Sequence, residues 1–100
     1  MKPFRVTGKA ERDLDEIWSY IARDSVDAAN RLTDAVTARF SLIAQAPKLG
    51  RNRDNMRCGL RSHPMDNYVI YYQISDGRVE ILHVIHGARD PQRVFRSAPK

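Results

Sequence analysis

The sequence predicts a single α+β domain in which two antiparallel helices pack on one face of an antiparallel sheet. Two helical stripes of apolar residues fill most of the first half of the chain, and two strand-like runs around Ser75-Asp-Gly77 dominate the second half. A short strand pattern at Phe4–Val6 and another ahead of the hairpin complete the order β-α-α-β-β-β. Consecutive helices joined by a tight connection share one face of such a sheet. We assign residues 1–100 to this one domain.

Both predicted helices have a start signal and a periodic apolar face. The first stripe comprises Ala10, Leu14, Ile17 and Ile21, and the second comprises Ala29, Leu32, Val36, Phe40 and Ile43. Spacings of three and four place each set on one side of a helix. Thr7 and Ser25 are suitable N-caps, and Pro47 ends the second helix at about Ala46. The pattern therefore predicts an αα-hairpin whose apolar faces form the core.

The hairpin strands Tyr68–Ile74 and Val79–His86 are apolar at nearly every position. Such runs are typical of strands buried on both faces, so we place the hairpin at the centre of the sheet. The helices cover one face, and a terminal segment with Val94 and Phe95 covers only part of the other. The pattern therefore predicts an apolar groove on the sheet that a partner fills.

The segments before the hairpin combine loop, strand and turn signals. Pro47–Asn55 reads as a loop in which Gly50 takes a backbone conformation closed to other residues. Cys58–His63 reads as a strand, and Pro64–Asn67 as the turn into the hairpin. Cys58 has no partner motif, so we expect it in the core.

Positive charge is concentrated in the second half of the chain. Residues 1–50 carry 8 Lys and Arg against 7 Asp and Glu, whereas residues 51–100 carry 9 against 5, mostly arginine. Arginine offers a fixed fork of donors for phosphate or carboxylate. Two interpretations stay open: an anionic partner, either nucleic acid or an acidic protein surface, or a solvated basic face. One cysteine and the lack of a signal peptide or long apolar run predict a cytoplasmic protein without a membrane partner.

Five stretches in register resemble one family. They are 10–22, 47–51, 60–64, 68–72 and 85–90. With the same element order, they resemble ParE-type toxins of bacterial type II toxin–antitoxin pairs, within the wider RelE/ParE superfamily, over about residues 4–95. The resemblance implies inhibition of DNA gyrase, with no cofactor. It also implies neutralisation by a ParD-like antitoxin that has a ribbon-helix-helix start and an acidic C-terminal segment. The toxin would then meet operator DNA only through the antitoxin, in a complex that represses its own operon.

The superfamily also contains RelE-type enzymes, which cleave messenger RNA on the ribosome. By motif position, Arg61 and Arg89 match two of their catalytic arginines, and Phe95 stands where their tyrosine does. Phenylalanine cannot transfer a proton, which argues against cleavage and favours a non-enzymatic toxin. A nuclease reading remains the alternative, with Arg61, His86 and Arg89 as its catalytic residues. A third reading is a domain with little toxicity that serves as the antitoxin's co-repressor.

Charge and position give the candidate residues for contact with the target or the antitoxin. They are Arg61, His63, Arg89, Arg93, Phe95 and Arg96. Arg89 has a structural alternative, pairing with Asp90 or with a core carboxylate. His83 and His86 are three apart on a strand and so face opposite sides, which predicts no metal site.

Overall fold

The computed structural model describes residues 4–96, with the Arg96 side chain excepted. Two helices and a five-stranded sheet make up most of this region. The elements are β1 Phe4–Val6, α1 Gly8–Ala22, α2 Val26–Gln45, a 3₁₀ helix Pro47–Leu49, β2 Arg51–Asn52, β3 Arg61–Met65, β4 Tyr68–Ser75, β5 Arg78–His86 and α3 Pro91–Arg96. The predicted β-α-α-β-β-β order is confirmed, with the short strand β2 and helix α3 added to it.

The helix boundaries follow from the capping residues. Thr7 accepts a hydrogen bond from the Ala10 N–H and Ser25 accepts one from the Ala28 N–H, as predicted for two N-caps. Pro47 follows α2 directly and begins the 3₁₀ helix. The apolar stripes of α1 and α2 face the sheet, where Val36, Phe40 and Ile43 are fully buried.

The hairpin lies at the centre of the sheet, as predicted, because the strand order is β1-β5-β4-β3-β2. Asp76 and Gly77 both have positive φ at its turn, which matches the twist of antiparallel strands. The last three strands are antiparallel neighbours, as predicted, but β1 pairs with β5 in parallel, so the sheet is mixed rather than wholly antiparallel as predicted. The register shifts between Tyr71 and Tyr72, which pair with His83 and Ile81 and leave Leu82 unopposed.

Two boundaries in the middle of the chain differ from the prediction. β3 begins at Arg61 and continues through Pro64, which pairs with Val69, so the turn shortens to Asp66 and Asn67. Proline is tolerated there because β2 pairs only with Arg61 and Ser62, which leaves Pro64 on an open edge. Cys58 is exposed rather than in the core. It lies in a loop that Asp54 closes by accepting the Gly59 N–H at 2.8 Å.

The prediction for Gly50 was also wrong, because its φ of −73° is open to any residue. Space requires the glycine instead. A Cβ at this position would lie 2.5 Å from the Tyr72 hydroxyl oxygen and 2.9 Å from the Ser62 carbonyl oxygen.

The far face of the sheet carries its own small core. Leu60, Tyr71 and Ile85 are buried there under Val94 and Phe95 of α3, together with side chains of neighbouring segments. The terminal segment therefore contributes to this cover, as expected. α3 and the loop at 53–60 thus cover much of this face from within the chain, while Ile85 also borders a groove at the end of the hairpin.

Candidate partner-binding site

A groove of about 750 Å³ lies between α1 and the end of the β4–β5 hairpin. Its apolar lining includes Ile17, Ile21, Leu32 and Tyr68. Tyr20 stands at this groove with 69% of its surface exposed. A large aromatic side chain left in water beside an apolar groove is typical of a surface that binds another protein.

The groove carries mixed charge. Asp13, Glu16 and Asp66 contribute three carboxyl groups, and Arg89 contributes one guanidinium group. Burial, together with the neighbouring Tyr20, raises the pKa of Tyr68, so this phenol keeps its proton at neutral pH. The site therefore offers an apolar floor, a phenolic hydroxyl and charges of both signs.

Two hydrogen bonds to His86 stabilise the turn after β5, which contains His86 and Arg89. The His86 Nδ1 accepts the Ala88 N–H at 3.0 Å, and the His86 carbonyl oxygen accepts the Arg89 N–H at 3.0 Å. The His86 ring also meets the Tyr68 ring edge-on at 5.5 Å. His86 is therefore a hydrogen-bonded structural residue of this turn. The Arg89 side chain is exposed and makes no ion pair within residues 4–96, so the predicted structural pairing is absent there.

Asp13 organises the edge of β5 where β1 ends. One carboxylate oxygen lies 2.8 Å from the His83 Nδ1 and accepts the Val84 N–H at 3.0 Å. Sequence reasoning did not single out Asp13 or this pair. The available signal was spacing, because Asp13 lies three residues after Ala10 and four before Ile17, on the buried side of the helix.

Arg61 lies at the start of β3 and His63 in its middle, and both side chains bind their own chain. The Arg61 guanidinium donates to the Gly50 carbonyl oxygen at 2.7 Å. The His63 Nε2 lies 2.9 Å from the Arg39 Nη1. Burial and the Arg39 charge lower the pKa of His63. Both side chains attach α2 and the following loop to β3.

The six predicted contact residues therefore do not form one site. Arg61 pairs through Tyr72 with Ile81, whereas His86 lies five positions further along β5, roughly 17 Å along the strand direction. Phe95 packs edge-on against Tyr71 and His83 with centroids 5.3 and 5.2 Å apart.

Only Arg89 and Arg93 stay together, beside a second small cavity with Asp90. The Arg96 side chain lies outside the described residues.

No group of three His, Cys, Asp or Glu side chains in residues 4–96 could hold a metal ion. None of the helices in that range is long and apolar enough to cross a membrane.

The fold and these surfaces define a small α+β domain with a groove beside α1 and dispersed arginines. The family model described as "ParE toxin of type II toxin-antitoxin system, parDE" matches residues 4–91. Toxin ParE1 of Caulobacter vibrioides is 36% identical, covering 86% of this chain and 90% of that protein. Toxin RelE3 of the same organism is 30% identical, covering 86% and 95%. This chain therefore belongs to the ParE toxin family of type II toxin–antitoxin systems.

A solved structure supports the fold independently. It is titled "Chromosomal ParDE TA system from P. aeruginosa", and its chain superposes with a TM-score of 0.71 at 19% identity. The match covers 83% of this chain and 92% of that one. The predicted fold and the predicted family are both confirmed.

Proposed function

We propose that this toxin acts by binding DNA gyrase rather than by catalysis, and that a ParD-like antitoxin silences it in the cytoplasm. The observation that carries the proposal is the dispersal of the candidate catalytic residues. Arg61 is bonded to Gly50, far along the sheet from His86 and Arg89. Phe95 has no proton to transfer. A protein that stalls its target by binding requires surfaces rather than an assembled acid–base pair.

We propose that the groove beside α1 is the binding site for the antitoxin. An amphipathic helix laid into such a groove inserts apolar residues at every third or fourth position. Ile17, Ile21 and Tyr68 would receive them. Asp13 is already bonded to His83 and Val84. The exposed carboxyl groups of Glu16 and Asp66 therefore favour cations on the docking segment, and Arg89 favours an acid. In this scheme operator DNA is bound through the antitoxin, and the complex represses its own operon.

A supercoiling and cleavage assay with purified gyrase tests the toxin proposal. We expect the purified chain to inhibit supercoiling and to accumulate linear DNA, and the cognate antitoxin to reverse both effects. Expression without antitoxin should stop growth. Unchanged supercoiling and no linear DNA at excess toxin would refute gyrase as the target, and normal growth would favour the co-repressor role.

Ribosome-dependent cleavage of messenger RNA is the second candidate, favoured by the 30% identity to Toxin RelE3. Toeprinting on translating ribosomes separates the two candidates. Discrete cuts that disappear in Arg89→Ala and His86→Ala variants would establish the nuclease. We expect none.

A further inference from the structure

A third cavity, of about 380 Å³, lies at the start of α1, away from the groove and from the cavity beside Arg93. We call it the cationic cavity. Its lining residues are Thr7, Gly8, Lys9, Arg12, Arg57, Leu82, His83 and Phe95. Four segments thus meet there: the first turn of α1, the loop at 53–60, the bulge of β5, and α3.

The cations of this cavity are not neutralised by the described protein. Lys9, Arg12 and Arg57 are exposed, and none of them forms an ion pair within residues 4–96. No carboxyl group is among the lining residues. The Arg57 guanidinium lies 6.0 Å from the centre of the Phe95 ring, which holds it at the cavity. Three positive charges facing one space form an electrostatic site for a compact anion.

His83 adds a nitrogen that is available to a ligand. Its side chain is 13% exposed, and its Nδ1 is held by Asp13 at 2.8 Å. Nε2 has no partner among residues 4–96, and no buried side-chain nitrogen or oxygen there lacks one, so Nε2 reaches solvent. His83 is one of the residues that line the cavity.

The start of α1 contributes backbone donors to the same space. The Ala10 N–H is satisfied by Thr7, whereas the N–H groups of Gly8 and Lys9 find no acceptor in residues 4–96. Unpaired N–H groups at the first turn of a helix favour negative charge. A Cβ added at Gly8 would meet no atom within 4 Å, so the space in front of this turn is open.

We propose that the cationic cavity binds the terminal phosphate of a nucleotide or of a nucleic-acid strand. A phosphate monoester carries about −1.5 to −2 charge on three oxygens, which matches three converging cations better than a single carboxylate does. The apolar side chains of Leu82 and Phe95 suit the attached sugar and base. The proposal is independent of the antitoxin groove and requires no bond to be made or broken.

Titration of the ¹⁵N-labelled full chain tests the proposal. The probes are inorganic phosphate, a nucleoside 5′-monophosphate, and one decanucleotide with and without a 5′-phosphate. We expect saturable shifts of the Gly8 and Lys9 amides and of the His83 ring, and binding about tenfold tighter with the 5′-phosphate than without it. Equal affinity for monophosphate and phosphorylated strand would identify a free nucleotide. Preference for the strand would identify a nucleic-acid end.

Matched variants show whether binding occurs in this cavity. Arg57→Gln should weaken binding about tenfold, whereas Arg31→Gln, on the exposed side of α2, should leave it within about twofold. Gly8→Asp places a carboxylate in the open space and should also abolish tight binding, while Gly8→Ala should not. The proposal is overturned by three outcomes: no saturable shifts, equal losses in both arginine variants, or a glutamate-rich decapeptide that binds as tightly as the phosphorylated strand.

Discussion

The Tyr72 hydroxyl joins the centre of the sheet to the loop after α2. It donates to the Pro47 carbonyl oxygen at 2.6 Å and accepts the Gly50 N–H at 2.8 Å. Burial raises the pKa of Tyr72, so the proton it donates is retained well into the alkaline range. Arg61 binds the Gly50 carbonyl oxygen from the same side. The loop is therefore held against the sheet at Pro47 and Gly50, and Gly50 has no room for a side chain.

Gly50→Ala should lower the free energy of unfolding by about 2–3 kcal/mol, because its Cβ would overlap the buried Tyr72 ring and the Ser62 carbonyl. Gly8→Ala is the matched control, since nothing lies within 4 Å of that Cβ. It should leave stability unchanged or raise it by up to about 1 kcal/mol. Urea denaturation measures both. Similar values for the two variants would contradict the steric explanation.

His63 should make stability depend on pH near neutrality. Its folded pKa is lowered by burial and by Arg39, so as pH falls the unfolded chain takes up this proton first. The contribution of His63 to stability is therefore fully present above about pH 6.5. It decreases as the pH falls toward the folded pKa, and it does not change further below that pKa.

His63→Gln keeps an acceptor for Arg39 but cannot bind a proton in this range. Urea midpoints measured between pH 7.5 and 5 should decline less steeply in the variant than in the parent protein. Asp54 and Glu80, whose pKa values are also lowered, titrate below this window and in both proteins. Parallel curves would show that His63 does not cause the decline.

Among the elements, α1 presents two surfaces of different chemistry. Its first turn borders the cationic cavity, and its later turns wall the groove with Ile17, Tyr20 and Ile21. Tyr20→Ala should weaken the antitoxin complex by about 2 kcal/mol, roughly thirtyfold in Kd, because exposed aromatic anchors carry much of the energy of protein interfaces. Leu49→Ala is the control, since Leu49 is 48% exposed but lies outside the groove. Calorimetry that gave equal losses for both would place the antitoxin elsewhere.

The sequence predicted those elements whose signals are local. Thr7, Ser25 and Pro47 mark helix ends within a few residues, and the Asp76-Gly77 turn sets the hairpin register. It did not predict that Pro64 continues a strand, because this depends on β2 leaving that edge open. The prediction that Cys58 lies in the core was wrong for a related reason. The hydrogen bond between Asp54 and Gly59 shapes the loop around Cys58, and no periodic sequence pattern indicates that bond.

The candidate site was harder to predict because it depends on packing between distant segments. Arg61 and Arg89 looked alike in sequence, yet one is bonded to Gly50 and the other is exposed. Charge alone does not show which arginine the fold itself uses. Asp13 was missed because a carboxyl group on an apolar stripe has a clear role only once β5 is known to lie beside it.

At the scale of the whole molecule, charge separates the two halves of the chain. The net charge is +5, and most arginines lie in the second half of the chain, which holds strands β2–β5 and α3. Asp13 and Glu16 instead lie on α1 beside the groove. An acidic antitoxin segment would therefore be attracted first to Arg89, which lines the groove, and to Arg93, which lines the neighbouring cavity with Arg89. Such steering acts mainly on the association rate and weakens with salt.

The double reversal Arg89→Glu/Arg93→Glu should consequently slow antitoxin association about tenfold or more at low salt, with a smaller change in dissociation. Arg31→Glu/Lys48→Glu is the matched control, because each reversal removes two units and both variants carry +1 instead of +5. If steering is local, the control should retain most of the association rate of the parent protein. The difference between the two variants should shrink with added salt, because the screening length falls from about 30 Å at 0.01 M to about 8 Å at 0.15 M. Surface plasmon resonance over that salt range measures both rates. Equal slowing in the two variants would mean that total charge, rather than the position of Arg89 and Arg93, governs the encounter.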